Sequence, residues 1–313
     1  MKFKIIFMGT SDFAVPALCK IHDAGHNISV VYTQPPRLSG RGLKKNPSPI
    51  QNAAGEKNLI VRSPEKITSE DEINYLKSLN ADIGIVVSFG QLIPNEILNA
   101  TKYGFLNIHP SILPRWRGAS PIQRTLINGD KSTAVNIIRV DAGLDTGDIC
   151  LSEIINIPEN ITYGELSSDL SDVGANLIVK ALNLISTGTA DFKPQNKIDI
   201  SYAKKIEKSE TQILFNKNAS EVHNHIRGLS PNPSAWFEYK TEKETIRIKV
   251  LSSEVVNKNG RPGELLDNEL TIACKKGAVK LTRLQRPGKN PMDNISFLRG
   301  MNISKGMNIS EFL

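Results

Sequence analysis

Asn107 and His109, which open the stretch "NIHPSILPRWRGASPIQ" (107–123), have side chains and a spacing suited to work on one reacting group. They stand two residues apart at the end of a predicted strand, so both project to the same side. An Asn amide is a neutral donor suited to a developing oxyanion, and a His donates or shuttles a proton near neutral pH. Pro110, Pro114 and Pro121 stiffen the loop that follows and would keep a ligand cleft rigid. A second stretch, "DAGLDTGDI" (141–149), sets acids among glycines. Glycine lets backbone approach a ligand closely, and an Asp in such a turn can orient or accept a proton. Either stretch alone is also what an ordinary turn looks like. Their coincidence at the ligand-binding end of one fold class is what points to a site.

The elements that must position these residues are legible along the first 190 residues or so. Lys4–Met8, Ile28–Thr33, Ile83–Ser88 and Val135–Arg139 are short β-branched apolar runs, as in strands buried on both faces of a parallel sheet. Helical patterns over Phe13–Ala24, Ser69–Leu79 and Tyr163–Ser186 alternate with them. Repeated β-α-β predicts a doubly wound, Rossmann-like α/β sheet, whose ligands lie outside the C-terminal ends of the strands. "SFGQLIP" (88–94) and the Asn-x-His stretch both fall there. The first turn, "FMGTSDFAVPAL", has one Gly where a dinucleotide fingerprint needs three, which argues against a nicotinamide or flavin reading. Thr10, Ser11 and Asp12 read as a helix N-cap region.

The character changes near residue 190. A polar stretch carrying Gly and Pro predicts a linker over 190–205 between a first domain at 1–189 and a second at 206–313. In the second, a helix at Ser220–Leu229 precedes short alternating segments at Trp236–Tyr239, Thr245–Val250, Leu270–Cys274 and Ala278–Arg283, separated by turns. That pattern predicts a small antiparallel β-barrel or open sheet. From residue 206 onward there are 17 Lys/Arg against 12 Asp/Glu, a surplus of +5 within a total of +7. A basic second domain suits a polyanionic partner. Cys19, Cys150 and Cys274 are far apart, which fits a reducing cytoplasm rather than disulfides or a zinc site. No apolar run approaches the roughly 20 residues of a membrane span. His223 and His225 lie two apart on the predicted helix and do not face each other, so no metal is expected there. Trp116 reads as a core or hinge aromatic.

With "FMGTSDFAVPAL", "YTQPPRLSGRGLKKNPSPI", "VVSFGQLIP", "NIHPSILPRWRGASPIQ", "DAGLDTGDI", "YAKKIEK" and "IRGLSPNPSAW" in order over nearly its whole length, the chain resembles the bacterial methionyl-tRNA formyltransferases. The Asn-x-His…Asp set with the Ser-x-Leu-Pro loop is shared by folate-dependent formyltransferases in general. The resemblance implies formyl transfer from 10-formyl-tetrahydrofolate to the α-amine of methionine on initiator tRNA, in a cytoplasmic monomer with a C-terminal OB-like barrel. It maps the catalytic trio onto Asn107, His109 and Asp145. The first two would stabilise the formyl oxygen, and Asp145 would orient His109 and assist proton movement. Neither a metal nor a covalent enzyme intermediate is needed. Folate is expected between Phe89, Gly90, Gln91, Leu92 and Ile93 on one side and Ser111, Ile112, Leu113 and Pro114 on the other. Pro110 is a departure: many bacterial tRNA formyltransferases have Gly there, and related folate formyltransferases have Pro.

For the tRNA, Lys205 and Lys208 at the linker's exit are the expected backbone contacts. The segment 35–47 ("PPRLSGRGLKKNP") holds Arg37, Arg41, Lys44 and Lys45 with almost no apolar residue, so it is expected to be mobile in the free protein. The resemblance implies that this loop grips the acceptor end, with Arg41 entering there to sense the weak first base pair. Two rival readings stay open here: a formyltransferase acting on an amino sugar nucleotide, and a non-catalytic RNA-binding module.

Overall fold

The computed structural model describes residues 1–39, 44–240, 244–301 and 303–309. They fall into two compact units, one of 1–118, 134–155 and 167–202, the other of 119–133, 156–166 and 203–309. In chain order the first part contains β1 (Lys4–Gly9), α1 (Val15–Asp23), β2 (Asn27–Tyr32), β3 (Arg37–Ser39), β4 (Lys44–Asn46), α2 (Pro49–Glu56), β5 (Val61–Arg62) and α3 (Glu70–Ser78). There follow β6 (Ile83–Val87), α4 (Asn95–Leu98), β7 (Phe105–His109), β8 (Arg117–Gly118), α5 (Pro121–Asn128), β9 (Ser132–Arg139), β10 (Ile149–Asn156), α6 (Tyr163–Thr187) and β11 (Tyr202–Ala203).

Seven of these strands form one sheet in the order β10-β9-β7-β6-β1-β2-β5. β5, β2, β1, β6 and β7 run parallel, as the apolar runs of β1, β2 and β6 anticipate. β9 pairs with β7 antiparallel, so the sheet is mixed at that edge. The reason for the difference is physical: the "AVNII" run of β9 is buried throughout, which reports burial on both faces and carries no information on strand direction. Ile6, Met8, Val30, Tyr32, Phe89 and Phe105 pack together on one side of the sheet. Toward α6, a Cβ on Gly174 would come within 2.6 Å of Ile108 Cγ2. Glycine at that point lets α6 lie against Ile108, and the alternation of a strand then turns Asn107 and His109 to the opposite face.

Near the sheet edge a buried polar cluster ties three elements together. Glu72 on α3 accepts from Tyr32 Oη at 2.5 Å and from Arg62 Nε and Nη2 at 2.9 and 2.7 Å. Arg62 also stacks on the Tyr75 ring at 4.2 Å. The guanidinium holds the Glu72 carboxyl below its ordinary range. Glu72→Ala leaves a phenol and a guanidinium without their acceptor, and is expected to destabilise the fold by about 3 kcal/mol in denaturant titration. A loss below about 0.5 kcal/mol, ordinary for a surface change, would contradict this.

Within the segment expected to be mobile, β3 and β4 pair antiparallel, with Arg37 opposite Asn46. Main-chain pairing needs no apolar side chains, so composition was silent about it. Arg41 lies outside the described residues.

The second unit contains α7 (Ala219–Leu229), β12 (Ala235–Lys240), β13 (Thr245–Val256), β14 (Thr271–Ala273), β15 (Ala278–Gln285), β16 (Met292–Asp293) and α8 (Asn294–Arg299). Its strands pair in the order β12-β13-β15-β14, with β16 beside β15, forming a curled antiparallel half-barrel. Val222, Ile226 and Leu229 of α7 join Phe237, Ile248, Val250 and Leu281 in its core. α5 also packs here. Gly228 of α7 sits so close to Ile127 that a Cβ would be 2.7 Å from its Cγ1. A chain segment early in sequence thus belongs by contact to the later unit, which a single linear boundary does not express.

Candidate functional site

β7 ends with Asn107 and His109 beside the antiparallel strand β9, Asn107 opposite Ile138 and His109 opposite Asn136. The loop from β9 to β10 brings back Asp145. Asp141 organises that loop from within, its Oδ1 accepting from Gly143 N at 3.1 Å and Thr146 Oγ1 at 2.7 Å. Asp145 then sits in the left-handed region at φ 53°, which Asp tolerates better than most residues. Its carboxylate has three partners. Asn107 Nδ2 donates to Oδ1 at 3.2 Å, Gly118 N donates to Oδ2 at 2.8 Å, and His109 Nδ1 lies 3.5 Å from Oδ2. The three residues expected to act together are therefore assembled around one carboxylate.

His109 is 3% exposed, and its Nε2 lies 3.2 Å from the Trp116 carbonyl. That carbonyl is an acceptor, as is Asp145, so a neutral ring with one proton can donate to only one of them. Trp116 is half-buried at φ 62°, and its N–H donates to Ser201 Oγ at 3.0 Å. Burial pushes the His109 pKa down from its ordinary 6.5; Asp145 and the Trp116 carbonyl pull it up, and the Arg117 charge pushes it down again. The net direction is down, so the ring is neutral at neutral pH. The unfolded chain takes up this proton first as pH falls below 6.5, so His109 costs stability from there downward to its folded pKa. An NMR titration of the His109 ring should show a midpoint below 6.5. One at or above 6.5 would contradict the burial argument.

The two expected folate segments differ in character. Phe89 is buried, and its carbonyl accepts from Thr10 Oγ1 at 2.9 Å and Gln34 Nε2 at 3.2 Å. Gln91 turns its side chain to the backbone of the preceding loop, accepting from Ile67 N at 2.9 Å and donating to Pro64 O at 3.2 Å. Leu92 is 86% exposed and Ile112 is 36% exposed, whereas Ser111, Leu113 and Pro114 are buried. Ser111 Oγ donates to Arg115 O at 2.7 Å, fixing the loop. A cavity of about 430 Å³ next to Phe89 and Gly90 is lined by Thr10 and Ser11, read from sequence as a helix N-cap region, and by Gln34, Asn46 and Ser48.

In the second unit Lys205 and Lys208 are exposed. Arg124 anchors the stretch that carries them, donating to the Lys204 and Lys205 carbonyls and, at 2.6 and 2.9 Å, to Glu210. This pairing pulls the Glu210 pKa down to about 2. A cavity of about 540 Å³ is lined by Lys208, Trp236, Arg247, Lys249 and Arg286, with Arg247 stacked 4.1 Å over the Trp236 ring. His223 is held by Ser253 Oγ and the Glu159 carbonyl. Among the described residues no group of three His, Cys, Asp or Glu could hold a metal ion, and no helix is long and apolar enough to cross a membrane.

A Rossmann-like sheet presenting an Asn, a His and a carboxylate at its strand ends, followed by a half-barrel, defines a class. Residues 1–182 match the family model described as formyl transferase, and residues 205–302 that of the formyl transferase C-terminal domain. The fold is shared with an N-formyltransferase from Helicobacter canadensis solved with folinic acid and dTDP-3-aminofucose. That structure has a TM-score of 0.65 and 20% identity, over 89% of this chain and 98% of its own. HypX from Aquifex aeolicus, solved with tetrahydrofolic acid, also has a TM-score of 0.65, at 16% identity over 95% of this chain and 47% of its own. The methionyl-tRNA formyltransferase of Sinorhizobium fredii is 47% identical over 310 residues, covering 99% of this chain and all of that protein. That of Rhizobium meliloti is 45% identical over 311 residues, with 99% and 100% covered. The chain belongs to the methionyl-tRNA formyltransferase family.

Proposed function

We propose that the chain transfers a formyl group from 10-formyl-tetrahydrofolate to the α-amine of methionine esterified to initiator tRNA, as a cytoplasmic monomer. The observation that carries this reading is the convergence of Asn107, His109 and the Gly118 amide on the Asp145 carboxylate, in a chain of this family. The folate supplies an electrophilic formyl carbon. Leu92 and Ile112, exposed apolar side chains on the two segments, suit a flat aromatic ligand that would cover them. Asn107 gives one amide hydrogen to Asp145 and has a second for the oxygen on which negative charge develops, a contribution typically worth roughly 3 kcal/mol. His109 has one proton between two acceptors. A second proton, shed by the attacking amine, would satisfy both, and Asp145 would stabilise the imidazolium until it gives that proton, directly or through water, to the folate nitrogen as the bond between that nitrogen and the formyl carbon breaks. This supports a part for His109 in proton transfer beside the one in oxyanion binding.

Lys205, Lys208 and the basic cavity beside them would meet the tRNA backbone, with the Arg37, Arg41, Lys44 and Lys45 segment at the acceptor end. A stacked Arg on Trp, as at Arg247 and Trp236, also suits a nucleobase face. The sugar-nucleotide reading has no use for a +5 surplus beyond residue 206. A non-catalytic RNA-binding module has no use for the polar trio. Affinity for initiator tRNA is therefore expected to fall steeply with salt, on the order of a thousandfold between roughly 50 and 200 mM for about six phosphate contacts. Filter binding across that range checks it; a flat response would refute the electrostatic part of this reading.

A further inference from the structure

Gln195 lies in the polar stretch before the second unit, where sequence pattern marks only a connection. The segment around it runs along the start of β10, with Ile149 N donating to Lys193 O at 2.8 Å and Lys193 N to Ile149 O at 3.0 Å. Every hydrogen-bonding position of the Gln195 amide facing the loop is committed. Nε2 donates to the carbonyls of Asp145 at 2.8 Å and Gly147 at 2.9 Å. Oε1 accepts from Arg117 Nε at 3.2 Å and Nη2 at 2.6 Å. Turning the amide over would set its oxygen against two carbonyls and its NH2 against a guanidinium, so the surroundings permit one orientation. Arg117 is itself buried, next in sequence to Gly118, whose N–H meets the Asp145 carboxylate.

We propose that Gln195 is a positioning residue for Asp145, tying down the backbone on both sides of Thr146 and itself oriented by Arg117. Asp145 occupies a left-handed conformation that its own side chain does not enforce, and its carboxylate must meet three partners at once. Two carbonyls held by one rigid amide fix the direction in which that carboxylate points. Arg117 couples the same unit to the β8 side of the site. This inference rests on the reading that Asp145 acts with Asn107 and His109 in formyl transfer.

Gln195→Glu tests it, because the side chain keeps its shape and gains an ion pair with Arg117 but loses both N–H donors to the loop. The expected result is kcat lowered about tenfold or more in a variant that stays folded, its new ion pair with Arg117 set against repulsion between the carboxylate and the two loop carbonyls, with KM for formyl-folate and for methionyl-tRNA within about twofold. The His109 midpoint should move up, since the new carboxylate offsets the Arg117 charge. A folded Gln195→Glu with kcat within about twofold of wild type overturns the proposal. Should that variant fail to fold, Gln195→Met, of similar length and without the amide, is read in the same way. Wild-type kcat there, or a kcat loss that only follows a lowered unfolding temperature, overturns it as well. Asp145→Asn run alongside separates the two ideas. Full activity in Asp145→Asn refutes the role of Asp145, whereas an inactive Asp145→Asn beside a fully active Gln195→Glu refutes the positioning role alone.

Discussion

Replacing Asp145 by alanine is expected to lower kcat for formyl transfer by roughly 10³-fold, with tRNA binding close to normal. The carboxylate is the shared partner of Asn107 Nδ2, the Gly118 amide and His109, so its loss releases all three at once. Asn107→Ala removes the neutral donor and His109→Ala the proton acceptor; each is expected to cost about 10²–10³-fold. The tRNA surface proposed above uses other residues, so its affinity should be insensitive to all three changes. The losses should not add if the three groups serve one transition state as proposed, and a double variant should then be little worse than the poorer single one. Single-turnover formylation with saturating formyl-folate is the measurement. More than about half of wild-type activity in any one of the three would remove that residue from the trio.

Gly147→Ala is expected to be nearly as damaging without touching any polar group of the trio. A Cβ at this position would lie 2.0 Å from the Arg139 carbonyl oxygen and 2.8 Å from its carbon. Both are backbone atoms at the end of β9, and Arg139 N is in turn bonded to Asp148 O at 2.9 Å. Neither side can rotate away, so the loop must lift from the strand by an ångström or more. Asp145 lies two residues before Gly147, and the Gly147 carbonyl is one of the two that Gln195 holds. A misplacement of about 1 Å at a reacting group costs on the order of 10²-fold. The expected outcome is therefore a kcat loss of that size, with folate affinity retained because the Phe89 and Ser111 segments, proposed to hold the folate, stay in place. Wild-type kcat in a folded Gly147→Ala would show that the loop tolerates displacement, and that its tight seat on β9 is irrelevant to catalysis.

The parts of this molecule that were legible in its sequence are those with a local signature. Apolar runs such as "KIIFM" and "IGIVV" mark buried strands wherever they occur, and two polar residues two apart at a strand end must share a face. Asn107, His109 and Asp145 could be picked out on that ground and through their resemblance to a known pattern. What pattern cannot carry is the identity of distant partners. β9 is as apolar as its parallel neighbours, and only its pairing with β7 shows that it runs the other way. Gln195 and Arg117 look like linker and loop residues because side-chain bonds to remote backbone have no period. Gln91 stands in the expected folate segment, yet its side chain is committed to Pro64 and Ile67. The packing of α5 on α7 depends on the fit at Gly228, a three-dimensional property absent from any window of sequence.

The most direct measurement supplies purified protein with 10-formyl-tetrahydrofolate and one acceptor at a time, and follows the formylated product. The acceptors are methionyl initiator tRNA, methionyl elongator tRNA, uncharged tRNA and an amino sugar nucleotide such as dTDP-3-aminofucose. The expected result is multiple-turnover formylation of methionyl initiator tRNA, weak formylation of the elongator form and none of the other two. Formylation of the sugar nucleotide in preference to the charged tRNA, or no turnover with any acceptor, would contradict the function proposed for this chain.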